Sequence, residues 1–416
     1  MAEGGSGVQP KLFKRRQRIF KFVFTATLVA LATAALGLGL APFREGSTHT
    51  DKDIATVQVI RSQACTTFAA SFGDTVLFGN TEDHAPGMPL FEEPEGATVW
   101  FYPATENSYG SMHLGWYWQG EHISLQGGMN DQGLAYDSTG VPEMPVNPHP
   151  ERPYSFGTDE FFAPLLRECA NVGEAIDFIN QFDFETWWGQ FFLADRSGAI
   201  VIVGPGPDGE MAFTWKDSGN GYLVASNFNA VLPESNMGKD SFARYDTAVA
   251  MLEETEREDD LTITRFQEVL EAVHRENSNP FSGTFTVYAN TFDLRNRIAY
   301  LYYLSDFSDV VKLDLVEELA RGTHELTLSE LVSQQTRKQA LARLQSVKTK
   351  GRMIIIGIFV AIALVLVGVS IVIFKKVRKY RRRKTSSDPL GAGDRLSGPA
   401  GAGKGGHQPP GLRERR

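Results

Sequence analysis

The chain has 416 residues, 42% of them hydrophobic and 22% charged, enough for a packed core and incompatible with a disordered or collagen-like protein. Its net charge of −9 is unevenly spread: residues 44–336 hold 16 basic and 46 acidic side chains and sum to −30, while residues 1–43 and 337–416 sum to +5 and +16. So acidic a middle repels phosphate backbones, which excludes nucleic-acid binding as the function.

In chain order, the first feature is Phe22 to Phe43, 22 residues without a charge, preceded by Lys11, Lys14, Arg15, Arg16, Arg18 and Lys21. It reads as the apolar part of a signal peptide or as a signal anchor, and its length favours the anchor. Ala64 to Phe72 is strand-like, Gly73-Asp74 is a turn signal, and Thr75 to Gly79 resumes the strand, which predicts a hairpin with Cys65 at its start. Further strand pairs are expected around Gly127 to Ala135 and across Phe191 to Val203. Helical spacing appears in Phe161 to Phe182, Asp240 to Glu256 and Thr264 to His274, and strands return in Thr284 to Leu304. Strands in runs with helices inserted in blocks predict an α+β fold with a largely antiparallel sheet. Met353 to Phe374 is a second uncharged run of 22 residues, followed by Lys375, Lys376, Arg378, Lys379 and Arg381 to Lys384, the pattern of a transmembrane helix with a stop-transfer cluster. With both basic clusters inside the cell, residues 44–352 lie outside. The Gly, Pro, Ser and Arg of the tail leave it almost nothing to bury, so disorder is expected there.

Two cysteines, Cys65 and Cys169, allow one disulfide at most. The eight histidines form no HExxH pair and there is no CxxC, so neither a metal nor a cofactor is expected. There is no GxSxG elbow and no phosphate-binding GxxxxGK[ST] loop. Gly204 to Gly209 matches GxGxxG formally, but its two prolines and the lack of a following helix make it a hairpin turn. Cys65 lies 22 residues beyond the first apolar run, too far for a lipoprotein cysteine. A cysteine in a strand is usually inert core. Cutting the bond after Ala64 would change that, because an N-terminal cysteine carries a thiol and an α-amine of pKa about 8, nucleophile and base on one residue.

Six segments then occur in one order: Cys65-Thr66-Thr67; Gly79-Asn80-Thr81-Glu82-Asp83; Gly128-Met129-Asn130-Asp131-Gln132-Gly133-Leu134; Leu165-Leu166-Arg167-Glu168-Cys169, running on to Glu174-Ala175; Ala225-Ser226-Asn227-Phe228; and Ser241-Phe242-Ala243-Arg244-Tyr245. Together with Tyr288 to Leu294, Phe307 and Lys312 to Leu315, this succession resembles the N-terminal-nucleophile hydrolases of the choloylglycine hydrolase, penicillin V acylase and isopenicillin-N acyltransferase class. The resemblance runs from Cys65 to about Leu328. It implies an αββα sandwich over residues 65–330, behind a propeptide of residues 1–64 that carries the apolar anchor 22–43. A juxtamembrane helix (331–352), a transmembrane helix (353–374) and a basic disordered tail (375–416) follow.

The resemblance also implies roles. Cys65 attacks the amide carbonyl with its own α-amine as base. Asp83, across the hairpin, orients the ammonium. Asn227 turns an amide N–H to the oxyanion, and Arg244 braces the site by charge. Asn80 stands where many relatives carry an arginine, and an asparagine cannot lower a thiol pKa by charge. Asn80, Asn130 and Trp188 are candidate substrate-binding residues, with Trp187, Trp100, Trp116 and Trp118 as further candidates for an acyl pocket. Cys169 is expected to be core. The segment Asn80-Thr81-Glu82-Asp83 is also similar to the Arg-Thr-Glu-Asp of related secreted dipeptidases. The expected function is a membrane-anchored cysteine amidase or acylase with a small N-acyl amide substrate, its catalytic domain outside the cell membrane and its tail in the cytoplasm. The alternatives are an acyltransferase or dipeptidase on the same site, and a non-catalytic, membrane-tethered binding ectodomain that keeps the fold.

Overall fold

The hairpin expected at Cys65 is present in the computed structural model, which describes residues 65–84, 96–118, 122–153, 158–184, 186–217, 221–236, 238–279 and 283–386. Strand β1 (Thr66–Phe72) turns at Gly73, whose φ of 57° is one that glycine adopts freely, into β2 (Thr75–His84). The chain continues through β3 (Thr98–Tyr102), β4 (Ser111–Trp118), β5 (His122–Asn130) and β6 (Leu134–Pro145), then helices α1 (Thr158–Glu168) and α2 (Val172–Ile179). Next come β7 (Thr186–Asp195), β8 (Ile200–Pro205), β9 (Met211–Trp215) and β10 (Tyr222–Ala225), then α3 (Lys239–Leu252) and α4 (Ile263–Val273). The last elements are β11 (Phe285–Asp293), β12 (Ile298–Tyr303), β13 (Asp306–Asp314), α5 (Leu315–Leu319), β14 (His324–Thr327), α6 (Leu328–Leu331) and α7 (Gln334–Ser386).

Two antiparallel sheets result, one of six strands in the order β10-β1-β2-β11-β12-β13 and one of eight in the order β14-β3-β4-β5-β6-β7-β8-β9. Side chains alternate across each strand. Val76 and Phe78 of β2 therefore enter the core between the sheets, where they meet Phe101, Met112, Phe192 and Phe292, while Leu77 faces the other way onto Phe266 and Leu270 of α4. On the eight-stranded sheet, Phe192 and Ala194 face the inter-sheet core, and Phe191 and Leu193 pack under Leu165, Leu166 and Phe178 of α1 and α2. The layers run helix, sheet, sheet, helix. This is the sandwich the sequence implied.

Several expectations need correction. The spacing over Phe161 to Phe182 is two helices, because Asn171 caps a new one: its side chain accepts from the Glu174 N–H. Strands β3 and β14 have no counterpart in the sequence reading. The cysteines are both free and buried, so no disulfide joins them. Where a disordered tail is expected from residue 375, α7 continues through the basic cluster to Ser386, and residues 387–416 lie outside the described residues. Lysine and arginine are good helix formers, and no proline intervenes before Pro389.

Residues 65–358 of the described chain fall in one unit and the remainder of α7 in another. In the first unit Ala340, Leu344 and Val347, one face of the opening turns of α7, are buried in the inter-sheet core, and Arg343 pairs with Asp306. Among the described residues α7 alone is long and apolar enough to cross a membrane. The apolar run Phe22 to Phe43 lies outside the described residues.

Phe78 lies 5.5 Å edge-on from Phe192 of the opposite sheet and 5.9 Å from Phe292. Phe78→Ala should cost about 3–5 kcal/mol and lower the thermal unfolding midpoint by roughly 10 °C, measured calorimetrically.

Candidate active site

Cys65 occupies the last position before β1 and is 1% exposed. Register decides what it faces. Thr66 pairs with Thr81 of β2, so one step further Cys65 stands opposite Glu82, and the thiol donates to Glu82 Oε1 at 3.4 Å. His84 Nε2 lies 2.8 Å from the same oxygen, and its ring meets Trp116 edge-on at 4.5 Å. Asn80, Glu82 and His84 share the inter-sheet face of β2. Thr67 donates to Asn80 Oδ1 at 2.9 Å.

Asp83, the next residue across the hairpin, keeps a backbone hydrogen bond to the Cys65 thiol but turns its carboxyl the opposite way, toward the helices. It accepts from the Thr286 hydroxyl on β11 and lies in the field of Arg244 and Arg275. The register of β11 against β2 slips at this point, between Thr286 and Tyr288, a bulge of the kind that re-aims side chains beside functional sites.

Arg244 of α3 ties the parts together. One guanidinium nitrogen donates to the Cys65 carbonyl oxygen at 2.8 Å and to the Thr66 hydroxyl, the other to Asn227 Oδ1 at 2.6 Å, and Nε pairs with Asp240 at 3.1 Å. The Ser226 hydroxyl also reaches the Cys65 carbonyl, at 3.5 Å. Asn227, just past β10, spends one amide hydrogen on the Gly140 carbonyl of β6 at 2.9 Å and so bridges the sheets. Gln190 of β7 holds the same loop by donating to the carbonyls of Ser226 and Phe228, each at 2.9 Å.

Asp137 of β6 adds a third fully buried carboxyl beside Glu82 and Asp83. Gly127 makes room for it: a Cβ there would fall 2.3 Å from Asp137 Oδ2. Glu82 Oε2, Asp83 Oδ2, Asp137 Oδ2 and Asn80 Nδ2 are all buried without a hydrogen-bond partner. The electrostatics follow from that crowding. Burial, then the charges of Glu82, Asp83 and Asp137, push the Cys65 thiol well above its ordinary range, against a backbone hydrogen bond from Asp83 that pulls it down. Burial lifts Asp83 to about 8 despite Arg244, Thr286 and Arg275, and burial with Glu82 lifts Asp137. The Cys65 thiol in the full-length chain is thus poorly ionised.

The remaining candidates are placed as follows. Asn130 spends its amide hydrogens on the carbonyls of Leu166 at 2.8 Å and Cys169 at 2.7 Å, and its oxygen accepts from Gln132 and Leu134. It clamps the β5–β6 turn to the end of α1 and has no hydrogen left for a substrate. Trp188 belongs to β7, and its side chain lies outside the described residues, as do those of Trp187 and Trp118. Trp116 borders the site through His84, whereas Trp100 packs on the outer face and donates to Glu325 at 2.8 Å. Cys169 is core beneath α1 and α2. Among the described residues no three His, Cys, Asp or Glu side chains gather as a metal site. Sequence reasoning missed Glu82, His84 and Asp137. The period of two in β2 already set Glu82 and His84 on the face of Asn80, but nothing local pointed to Asp137.

No family model and no curated protein sequence matches the chain. Solved structures do. A variant of conjugated bile acid hydrolase from Clostridium perfringens superposes with a TM-score of 0.50 at 14% identity, over 63% of this chain and 96% of that one. Penicillin V acylase from Agrobacterium tumefaciens gives 0.47 at 18% identity, over 64% and 92%. The chain shares the fold of the conjugated bile acid hydrolase.

The raised pKa of Asp83 has a measurable sign. The group holds its proton in the folded chain and releases it near pH 4 when unfolded, so its contribution to stability is full below about pH 4 and is lost as pH rises toward about 8. In the full-length chain carrying Cys65→Ala, Asp83→Asn should flatten the fall in urea midpoint between pH 4.5 and 8. An unchanged slope would show that Asp83 does not titrate in that window.

Proposed function

We propose that the chain is a membrane-anchored cysteine amidase that cleaves the linear C–N amide bond of an N-acyl compound, after cutting itself between Ala64 and Cys65. The observation that carries the reading is the crowding of buried carboxyl groups at Cys65. Three buried carboxyl groups near Cys65 each keep an oxygen without a donor, a costly arrangement, and self-cleavage would create an α-ammonium among them. An ammonium at that position lowers the pKa of its carboxylate neighbours and of the thiol together. Asp83, protonated in the uncut chain at neutral pH, then becomes its counter-ion.

In the mechanism that follows, the α-amine takes the thiol proton, the thiolate attacks the acyl carbon, and the amine returns the proton to the departing nitrogen. Water then hydrolyses the thioester. The Arg244 and Ser226 bonds to the Cys65 carbonyl fix the nucleophile's backbone. The second amide hydrogen of Asn227 is the candidate donor to the oxyanion, with its orientation held by Arg244 and Gly140. Asn80 brings no positive charge, so in this reading the ammonium itself serves as the helper cation. Met353 to Phe374 in α7 is the membrane anchor, and the basic cluster after it favours a cytoplasmic end and an outward-facing sandwich.

Mass analysis of purified protein should find a chain beginning at Cys65, and Cys65→Ala should stay uncut and inactive. The wild-type activity is best sought on N-acyl amino acids, penicillin V and conjugated bile acids. A cleaved chain inert on all of them would favour the non-catalytic binding alternative. Asn227→Ala should lower kcat by about 100-fold or more while KM moves only a few-fold, read beside a thermal unfolding curve because Asn227 also bridges the sheets.

A further inference from the structure

Self-cleavage poses a problem that the mature reaction does not. Before the cut the nitrogen of Cys65 is an amide and cannot act as a base, yet the Cys65 thiol must lose its proton to attack the carbonyl of Ala64. In the uncut chain the thiol donates to a carboxylate, Glu82 Oε1, at 3.4 Å. That oxygen is fixed from the other side by His84 Nε2 at 2.8 Å, and His84 by Trp116. The second oxygen, Oε2, is buried with no partner. The extension of the β1–β2 register holds the pair in place without a loop.

We propose that Glu82 is the general base of self-cleavage, the catalytic residue that serves Cys65 until the α-amine exists; the inference rests on the self-cleavage reading above. The Sγ proton passes to Glu82 Oε1 and the sulfur lone pair forms the bond to the Ala64 carbonyl carbon, leaving an oxyanion. As that collapses, the C–N bond breaks and the proton moves from Glu82 to the departing nitrogen, which becomes the free amine of Cys65. Water then adds to the thioester, the C–S bond breaks, and the Ala64 carboxylic acid and the Cys65 thiol are released. Glu82 ends as it began, beside a new ammonium.

The alternative role for Glu82 predicts an effect of opposite sign. As a bystander its charge only suppresses the thiolate, so removing it would speed cleavage. As the base, its loss slows cleavage. The test follows the appearance of the Cys65 terminus with time in freshly synthesised full-length chain. Glu82→Gln should slow it about 100-fold or more, with the thermal unfolding midpoint checked in parallel. Glu82→Asp keeps the charge but withdraws the carboxylate by one methylene, and it should also be slow; it decides the matter if Glu82→Gln does not fold. Cleavage of the folded Gln variant, or failing that the Asp variant, at or above the wild-type rate overturns the role of Glu82 and leaves the amidase reading intact. A wild-type chain that never cleaves overturns the amidase reading itself.

Discussion

A strand buried on both faces has no cheap place for charge, and β2 ends in three titratable side chains, Glu82, Asp83 and His84, all within 2% of full burial. Its position between β1 and β11 imposes this, and the site is arranged around it. Alternation sends Glu82 and His84 between the sheets, beside the Cys65 thiol, and Asp83 outward under α3, where Arg244 and Thr286 meet it. The helix layer is therefore more than a cover for apolar surface. Arg244 reaches from α3 through the six-stranded sheet to the Cys65 carbonyl and to Asn227, and Asn227 reaches on to the second sheet.

This chain of hydrogen bonds gives the uncut protein a frame that cleavage need not rebuild. On the proposed reading, what the cut adds is an ammonium beside these carboxyl groups, not a new side chain. On the same proposed reading, breaking one peptide bond supplies that charge and a base together, and the same step gives a high-pKa thiol an adjacent proton acceptor. On that reading the unpaired carboxyl oxygens around Cys65 are the cost of a site arranged for its product state.

Helix α7 adds a constraint of a different kind. The opening turns of α7 bury Ala340, Leu344 and Val347 in the core of the sandwich, so the chain that leads into the apolar run is part of the folded unit.

The sequence by itself determined what depends on local pattern: the hairpin at Gly73-Asp74, most of the helices, the apolar run of α7, and, through the order of short motifs, the layered fold and the candidates Cys65, Asp83, Asn227 and Arg244. These were legible because turn residues, helical spacing and motif order are written over a few neighbouring positions. Tertiary structure alone decided which candidate touches which. It set Glu82 rather than Asp83 against the thiol and used up Asn130 in a turn clamp. It also brought Asp137 from the other sheet to the same pocket and left the uncut thiol protonated. Strand register and the pairing of distant strands fix those contacts, and burial fixes the pKa values. These contacts join residues 17 positions apart (Cys65 and Glu82) and 36 and 39 apart (Asn130 with Leu166 and Cys169), beyond the few neighbouring positions in which turn and helix signals are written.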